Sequence, residues 1–317
     1  MEEVLAKPVI GRLAPSPTGA LHLGNARTFM IAYLSARSRG GKVVLRMEDL
    51  DHPRDKPFAA DQAIEDLRWL GFDWDEQYVQ SARKDIYRSA LEFLHVRGFV
   101  YPCVCSRKDV ESAQSAPHAG EQLFYPGTCR GRFASYRQAE AIHPRPCWRF
   151  RVDPCSIVEF DDLFAGRQRQ VVDQTLGDFP LARDEYGAGY TLAAVVDDVL
   201  MGVTEVVRGD DLLAATPAQI LLARALAPWF ARQMGTEVNL PKYCHVPLVV
   251  GADGRRLAKR HGDTRISAYR EAGGNPKAII GMLAASCGWC ERGEELALEE
   301  LLPRFSLASV PHRPLVV

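Results

Sequence analysis

Apolar positions along the first hundred residues alternate between two rhythms. Pro8 to Leu13 (PVIGRL) is a short apolar run ending in APSPTG, where proline and glycine interrupt any regular ladder, so a strand entering a loop is expected. Ala26 to Ser38 (ARTFMIAYLSARS) carries Phe29, Met30, Tyr33 and Leu34 at helical recurrence, and Gly40-Gly41 closes it, which predicts a helix with a marked stop. Lys42 to Met47 (KVVLRM) is β-branched and apolar and predicts a second strand, with the carboxylates of Glu48, Asp49 and Asp51 at its end. Residues Ala59 to Leu70 and Ala82 to Val96 return to helical periodicity. Strand, helix and strand in this order predict an α/β fold with a parallel sheet.

Between residues 98 and 190 the pattern changes. Cysteine, arginine and proline concentrate there, and strand-like pieces at Cys147 to Val152 and Ile157 to Leu163 break the alternation, as expected of an inserted subdomain. The α/β pattern resumes at Tyr190 to Val196 (YTLAAVV), read as a strand, and a strong helix follows at Pro217 to Ala227. The expected organisation is a first half-domain over 1–97, an insertion over 98–189, a second half over 190–250 and a short helical C-terminal region over 251–317.

Composition adds exclusions. Hydrophobic residues make up 47% and charged residues 25%, so the chain has the material for a packed core rather than the signature of disorder. The 39 basic and 40 acidic residues leave a net charge of -1, so a polyanion must be met by local patches rather than an overall field. One such patch runs from 128 to 151, where Arg130, Arg132, Arg137, Arg145, Arg149 and Arg151 face Glu140 alone, with Tyr136 and Trp148 interleaved for stacking on unpaired bases. The commoner meaning of such a run is a solvated face. No apolar stretch approaches the length of a membrane span; Ala223 to Ala231 is interrupted by Arg224 and bounded by Gln219 and Arg232. The acidic N-terminus MEEVLAK lacks the features of a secretory signal, so a cytoplasmic protein is expected. In a reducing compartment, closely spaced cysteines among the eight read as metal ligands or as small core residues.

Two motifs carry chemistry. APSPTGALHLGN, residues 14–25, joins the first strand to the first helix. Gly19 and Gly24 let backbone approach a ligand, His22 can donate to a phosphate oxygen, and the helix start favours negative charge. An ordinary glycine turn is the bland alternative. RRLAKRHGD, residues 255–263, follows the turn signal Gly251-Ala252-Asp253-Gly254. A solvated charge run is its bland reading; a lysine there, near the His-x-Gly turn, can clamp a triphosphate and stabilise a departing pyrophosphate.

With these blocks the sequence resembles the glutamyl-tRNA synthetase branch of class I aminoacyl-tRNA synthetases. GRLAPSPTGALHLGN is similar to that branch's first signature, RMEDLD to its Arg-Ile-Glu-Asp-Thr-Asp segment and LAKRHGD to its lysine signature. YTLAAVVDDVLMGVTEVVRGDDLLAATPAQ, residues 190–219, is similar to a fourth block in which a tyrosine opens a strand and Arg-Gly-x-Asp closes it. Only residues 264–317 follow the lysine signature, and this shortness, with the tail LLPRFSLASVPHRPLVV, resembles the truncated glutamyl-queuosine tRNA(Asp) synthetase subfamily, which lacks an anticodon-binding domain. The stretch HGDTRISAYREAGGNPKAIIGMLAASCGW is similar to full-length synthetases as well.

The resemblance implies a Rossmann-type catalytic domain with a zinc-bearing insertion. It also implies tRNA-independent activation of L-glutamate with ATP and magnesium, followed by transfer to the queuosine base in the anticodon arm of tRNA(Asp), by a monomer. A short glutamyl-tRNA synthetase charging the tRNA 3′ end and a non-catalytic RNA-binding paralogue stay open. Implied for glutamate are Arg12 and Arg208 on carboxylates, Glu48 on the ammonium, Tyr190 as an orienting hydroxyl, and Leu13, Ala14, Pro15 and Ser16 completing the pocket. For ATP the resemblance implies His22, Gly24, Asn25 and Lys259, with His22 and Lys259 catalytic. Asn25 stands where the family usually has histidine, and Arg256 and Ala258 where it has Lys and Ser. Cys103-x-Cys105, Tyr125 and Cys129 resemble that subfamily's structural zinc site, although His118 or Glu121 compete with Tyr125, and three buried free cysteines remain the bland reading. Cys287-x-x-Cys290 reads as a helix end, and Cys147, Cys155 and Cys244 as packing residues.

Overall fold

A computed structural model of the chain describes residues 8–17, 20–50, 58–113, 124–143, 145–185, 187–255, 257 and 264–317. The first part holds β1 (Ile10–Leu13), α1 (Leu23–Arg37), β2 (Lys42–Met47), α2 (Ala59–Trp69), β3 (Glu76–Val79) and α3 (Lys84–Val96). The middle holds β4 (Val100–Cys103), α4 (Arg107–Ala113), α5 (Tyr136–Glu140), β5 (Cys147–Phe150), β6 (Ile157–Asp162), β7 (Gly166–Val171), α6 (Val172–Thr175) and β8 (Phe179–Ala182). Then come α7 (Tyr190–Leu200), β9 (Glu205–Gly209), α8 (Thr216–Met234), β10 (Lys242–Val246), β11 (Val249–Val250), α9 (Ile266–Glu271), α10 (Pro276–Ala285), α11 (Leu298–Leu301) and β12 (Leu315–Val316).

Strands β1, β2 and β3 pair in parallel, as do β9 and β10. The two groups meet where the Thr204 amide donates to the Ile10 carbonyl at 2.9 Å and the Ile10 amide to Thr204 Oγ1 at 2.8 Å. The spatial order β3-β2-β1-β9-β10 therefore reverses direction at β1 and β9. In open parallel sheets a ligand crevice forms beyond the strand ends at such a reversal. Helices cover both faces. Val43, Leu45 and Met47 of β2 enter a core with Met30, Ile31 and Leu34 of α1 and Ile280 and Leu283 of α10; Val44 enters the opposite core with Leu91, Leu192, Val195 and Leu226. Alternate side chains of a strand buried on both faces explain why KVVLRM reads as one continuous apolar run.

The middle segment is antiparallel. Strands β4, β5 and β8 form one sheet, and β6 and β7 form a hairpin; Asp162, the last residue of β6, lies beside β10.

Three expectations need correction. Tyr190 opens helix α7, not a strand. Its Leu192, Val195, Val196 and Val199 are all buried, and a helix apolar on nearly every side shows no amphipathic rhythm to separate it from a buried strand. Helix α8 does not stop before Pro228 but runs to Met234, where Gly235 closes it in the left-handed conformation at φ 68°. Helix α1 begins at Leu23, ahead of the expected Ala26, because His22 supplies the cap. Among the described residues no helix is long and apolar enough to cross a membrane.

Candidate functional site

A cavity of about 480 Å³ opens at the β1/β9 reversal. Its walls come from the loop after β1 (Ala14, Ser16, Ala20, Leu21), the start of α1 (His22, Gly24, Asn25, Thr28, Phe29), the residue after β2 (Glu48), the end of β9 (Arg208, Gly209) and the turn that follows it (Asp211, Leu212), and Arg12, Tyr190, Val207, Leu248 and Val249. Leu13 and Pro15, expected here, are not among the lining residues. Leu13 is fully buried in the core, and Pro15 is buried with its carbonyl accepting from the Glu48 amide at 2.9 Å. Side chains of extended backbone alternate, so Arg12, Ala14 and Ser16 face the cavity and the two between face away.

Arg12 is 6% exposed, and its Nη1 donates to the Val207 carbonyl at 2.7 Å. Its Nε is buried with no acceptor, the nearest carboxylate being Asp198 at 3.7 Å, which Arg46 already holds at 2.6 Å. Burial accordingly pulls the Arg12 pKa down, against the attraction of Asp198. A buried cation with an orphaned N–H is costly unless an anion completes it.

Glu48 accepts from Arg46 Nε at 3.2 Å and Nη2 at 2.8 Å through one oxygen. Its other oxygen has no protein partner among the described residues. Burial pushes its carboxyl above the usual range, against the pull of Arg46. Tyr190, at the first turn of α7, is 36% exposed; desolvation at the cavity wall and then Glu48 raise its phenol pKa, so it keeps its proton and can donate it. Asp197 and Asp198, adjacent on α7, serve opposite sides: Asp198 takes Arg46, and Asp197 takes Arg83 at 2.8 Å and the Tyr87 hydroxyl at 2.7 Å.

Arg208, 5% exposed, spends three N–H groups inside the protein: Nε on His245 Nε2 at 3.0 Å, and Nη2 on Thr216 Oγ1 at 2.9 Å and Gln219 Oε1 at 2.7 Å. Its Nη1 has no protein partner among the described residues. Arg46, Asp198, Thr216, Gln219, Asp162 and His245 escaped sequence reasoning as site residues; a buried polar role leaves no signal in spacing.

His22 caps α1. Its Nδ1 accepts from the amides of Gly24 at 3.1 Å and Asn25 at 3.4 Å, while Asn25 Oδ1 accepts from the His22 amide at 3.2 Å. The reciprocal pair is a capping box built from His and Asn, and it puts the imidazole proton on Nε2. Asn25 uses its carbonyl in the cap, so contact with an anion falls to its NH₂. A Cβ on Gly24 would meet His22 Cε1 at 2.9 Å, so the glycine is needed for the cap itself. Lys259, Arg256 and Ala258 lie outside the described residues.

A second cluster lies on β4 and the loop after it. The sulfurs of Cys103, Cys105 and Cys129 lie within 4.8 Å of one another. Tyr125 Oη is 3.2 Å from Cys103 Sγ and 3.6 Å from Cys105 Sγ, and it accepts from the Cys129 amide at 2.9 Å. Four donors thus converge at spacings near the roughly 3.8 Å between sulfurs of a tetrahedral zinc site. Arg149 donates to Cys103 Sγ at 3.1 Å and stacks 3.8 Å over the Tyr125 ring. A hydrogen bond with Cys147 first, then Tyr125 and Arg149, hold the Cys103 thiol down to about 4, against burial. The cluster can hold a metal ion. His118 and Glu121 lie outside the described residues.

The arginine run is partly dismantled by the fold. Arg149 is buried on the cysteine cluster, and Arg130 is paired with Asp178 through Nε at 2.9 Å. Tyr136 and Trp148 are buried and stack on each other at 5.3 Å, so neither offers a face to a base. Arg132, Arg137, Arg145 and Arg151 remain exposed. Cys155 is not a packing residue: it is exposed in a turn at φ 59°. Cys244 packs in β10, and Cys287 and Cys290 follow the end of α10, with Cys290 Sγ donating to the Gly281 carbonyl at 3.3 Å.

Comparison with known proteins adds a lineage to this geometry. The model of the catalytic domain of class I tRNA synthetases (E and Q) matches residues 8–312. A protein of Symbiobacterium thermophilum named Glutamyl-Q tRNA(Asp) synthetase is 47% identical, the match covering 96% of this chain and 94% of that protein. Its namesake in Rhodopirellula baltica is 45% identical over 96% of this chain and 95% of its own length. A glutamate–tRNA ligase of Aquifex aeolicus is 41% identical over 96% of this chain but 63% of its own length. Among solved structures, the glutamate tRNA ligase from Elizabethkingia meningosepticum in complex with its amino acid is similar at a TM-score of 0.78 and 27% identity, covering 98% of this chain and 67% of that one. By fold, strand-end cavity and sequence, the chain belongs to the class I tRNA synthetases of the E and Q group, a family of ligases.

Proposed function

We propose that the chain activates L-glutamate with ATP and transfers it to the queuosine base in the anticodon of tRNA(Asp). The observation that carries the first half is the buried Arg12 with its orphaned Nε, sharing one cavity with Arg208 Nη1 and a Glu48 oxygen that have no protein partner among the described residues. Two guanidiniums suit the two carboxylates of glutamate, and Glu48 suits its ammonium. Tyr190 adds a hydroxyl. The second half is supported by relatives of nearly equal length named Glutamyl-Q tRNA(Asp) synthetase.

The α-carboxylate oxygen of glutamate attacks the α-phosphorus of ATP in line, the bond to the β-phosphate oxygen breaks, and pyrophosphate leaves. His22 and the Asn25 NH₂ receive the phosphates at the helix start, where the α1 dipole favours negative charge, and Lys259 neutralises charge on the leaving group. Magnesium arrives with ATP and needs few protein ligands. A queuosine hydroxyl then attacks the glutamyl carbonyl and AMP departs. The exposed Arg132, Arg137, Arg145 and Arg151 bind RNA phosphates. Cys103, Cys105, Tyr125 and Cys129 would hold one zinc, which would supply folding energy rather than activate water.

Glutamate-dependent ATP–pyrophosphate exchange without tRNA tests activation. Lys259→Ala is expected to abolish exchange while glutamate binding persists, because phosphate charge peaks in the transition state; an unchanged rate contradicts its role. For the acceptor, labelled glutamate is expected in the anticodon half of nuclease-cleaved tRNA(Asp), with none on tRNA lacking queuosine. The match to the Aquifex aeolicus ligase over 96% of this chain favours a second reading, charging of the 3′ end. Label on the terminal adenosine establishes that reading instead.

A further inference from the structure

Arg208 can point Nη1 at a ligand only because three acceptors hold its other side, and one of them depends on a residue far away in the chain. Asp162, 4% exposed at the end of β6, accepts through Oδ1 from the amides of Phe164 at 3.0 Å, Ala165 at 2.8 Å and His245 at 3.1 Å. Its Oδ2 lies 2.6 Å from His245 Nδ1, and both side chains are fully buried. Three amide donors and the imidazole hold Asp162 ionised below the usual carboxylate range, against burial. Burial in turn keeps His245 neutral. A neutral imidazole facing a carboxylate carries its proton on Nδ1, which leaves the Nε2 lone pair for Arg208 Nε–H. Thr216 Oγ1 also lies 3.1 Å from His245 Nε2; with the Nε2 lone pair on Arg208, the Thr216 hydroxyl donates to the Leu212 carbonyl at 3.1 Å and its oxygen accepts from Arg208.

We propose that Asp162 and His245 are positioning residues for Arg208: by fixing the imidazole tautomer they set the direction of its guanidinium and so the affinity for the amino-acid carboxylate. The β6–β7 hairpin thereby becomes part of amino-acid recognition, though Asp162 does not line the cavity. This inference rests on Arg208 binding a glutamate carboxylate.

The sharpest variant is Asp162→Asn. Its NH₂ donates to Nδ1, the proton moves to Nε2, and two donors then face each other between His245 and Arg208. The KM for glutamate in pyrophosphate exchange is expected to rise tenfold or more, with kcat and the KM for ATP within about threefold. Adding His245→Gln, whose side-chain carbonyl accepts without any tautomer, is expected to return the glutamate KM to within a few-fold of the original. A purely structural role for Asp162 predicts no such rescue. If Asp162→Asn does not fold, His245→Gln against His245→Leu makes the same comparison, the Gln variant keeping a low KM and the Leu variant losing it. An unchanged glutamate KM in Asp162→Asn, an equal rise in both KM values, or failure of the rescue overturns the inference. Absence of glutamate-dependent exchange in the unsubstituted protein refutes the proposed function instead.

Discussion

Arg12→Ala is expected to lower kcat/KM for glutamate by about 10²- to 10³-fold while leaving the melting temperature unchanged or slightly raised. The two halves of this result share one cause. Arg12 is a buried cation whose Nε has no hydrogen-bond acceptor, so its desolvation is only partly offset by the Val207 carbonyl and the distant Asp198 in the free protein, and removing it relieves a cost. When a carboxylate enters, the same N–H completes a charge-assisted pair in a dry site, and breaking such a pair costs about 3–5 kcal/mol. Asp198 is not stranded by the change, because Arg46 holds it at 2.6 Å. Arg12→Lys keeps the charge but not the fork, and an intermediate loss is expected. Steady-state exchange kinetics beside a thermal melt check the pair of effects. Ordinary kinetics in Arg12→Ala would remove Arg12 from the amino-acid site.

The second large effect concerns the cysteine cluster. The purified protein is expected to carry about one zinc, and Cys129→Ser to lose it and melt about 10 °C lower, with the glutamate KM little changed. Cys129 Sγ is 3.5 Å from Cys105 Sγ, and its amide donates to Tyr125, so the substitution removes a thiolate while keeping the backbone contact. Without a metal, Cys103, Cys105 and the Tyr125 hydroxyl are left crowded around one point in a buried cluster with Val110 and Tyr101. Cys155→Ser, at an exposed turn away from the cluster, is the control and is expected to leave metal content and melting untouched. Elemental analysis and calorimetry decide; a metal-free preparation melting at the same temperature as the loaded one would overturn the assignment.

Local chemistry was legible in the sequence. The strand–loop–helix–strand rhythm of residues 8 to 47 is written in period: β1 and β2 form where it predicts, and α1 forms with its start moved from Ala26 to Leu23. Motif spacing also placed Arg12, His22, Gly24, Asn25 and Glu48 at strand ends and a helix start, and all five line one cavity. The family resemblance likewise named Cys103, Cys105, Tyr125 and Cys129, and the fold brings the two short-spaced pairs together across 20 positions from Cys105 to Tyr125.

What period could not carry, only tertiary packing decided. YTLAAVV reads as a strand because β-branched residues fill it, yet burial on nearly all sides makes it α7, the helix that presents Tyr190 and Asp198 to the cavity. Arg149, Tyr136 and Trp148 look like an RNA-facing patch until β4, β5 and α5 close over them. Arg46 meets Asp198 across 152 positions and His245 meets Asp162 across 83. Such pairings depend on which segments the sheet order brings side by side. Local propensity acts over a few residues, while the direction of a buried charge is set by whatever polar group the rest of the chain folds against it.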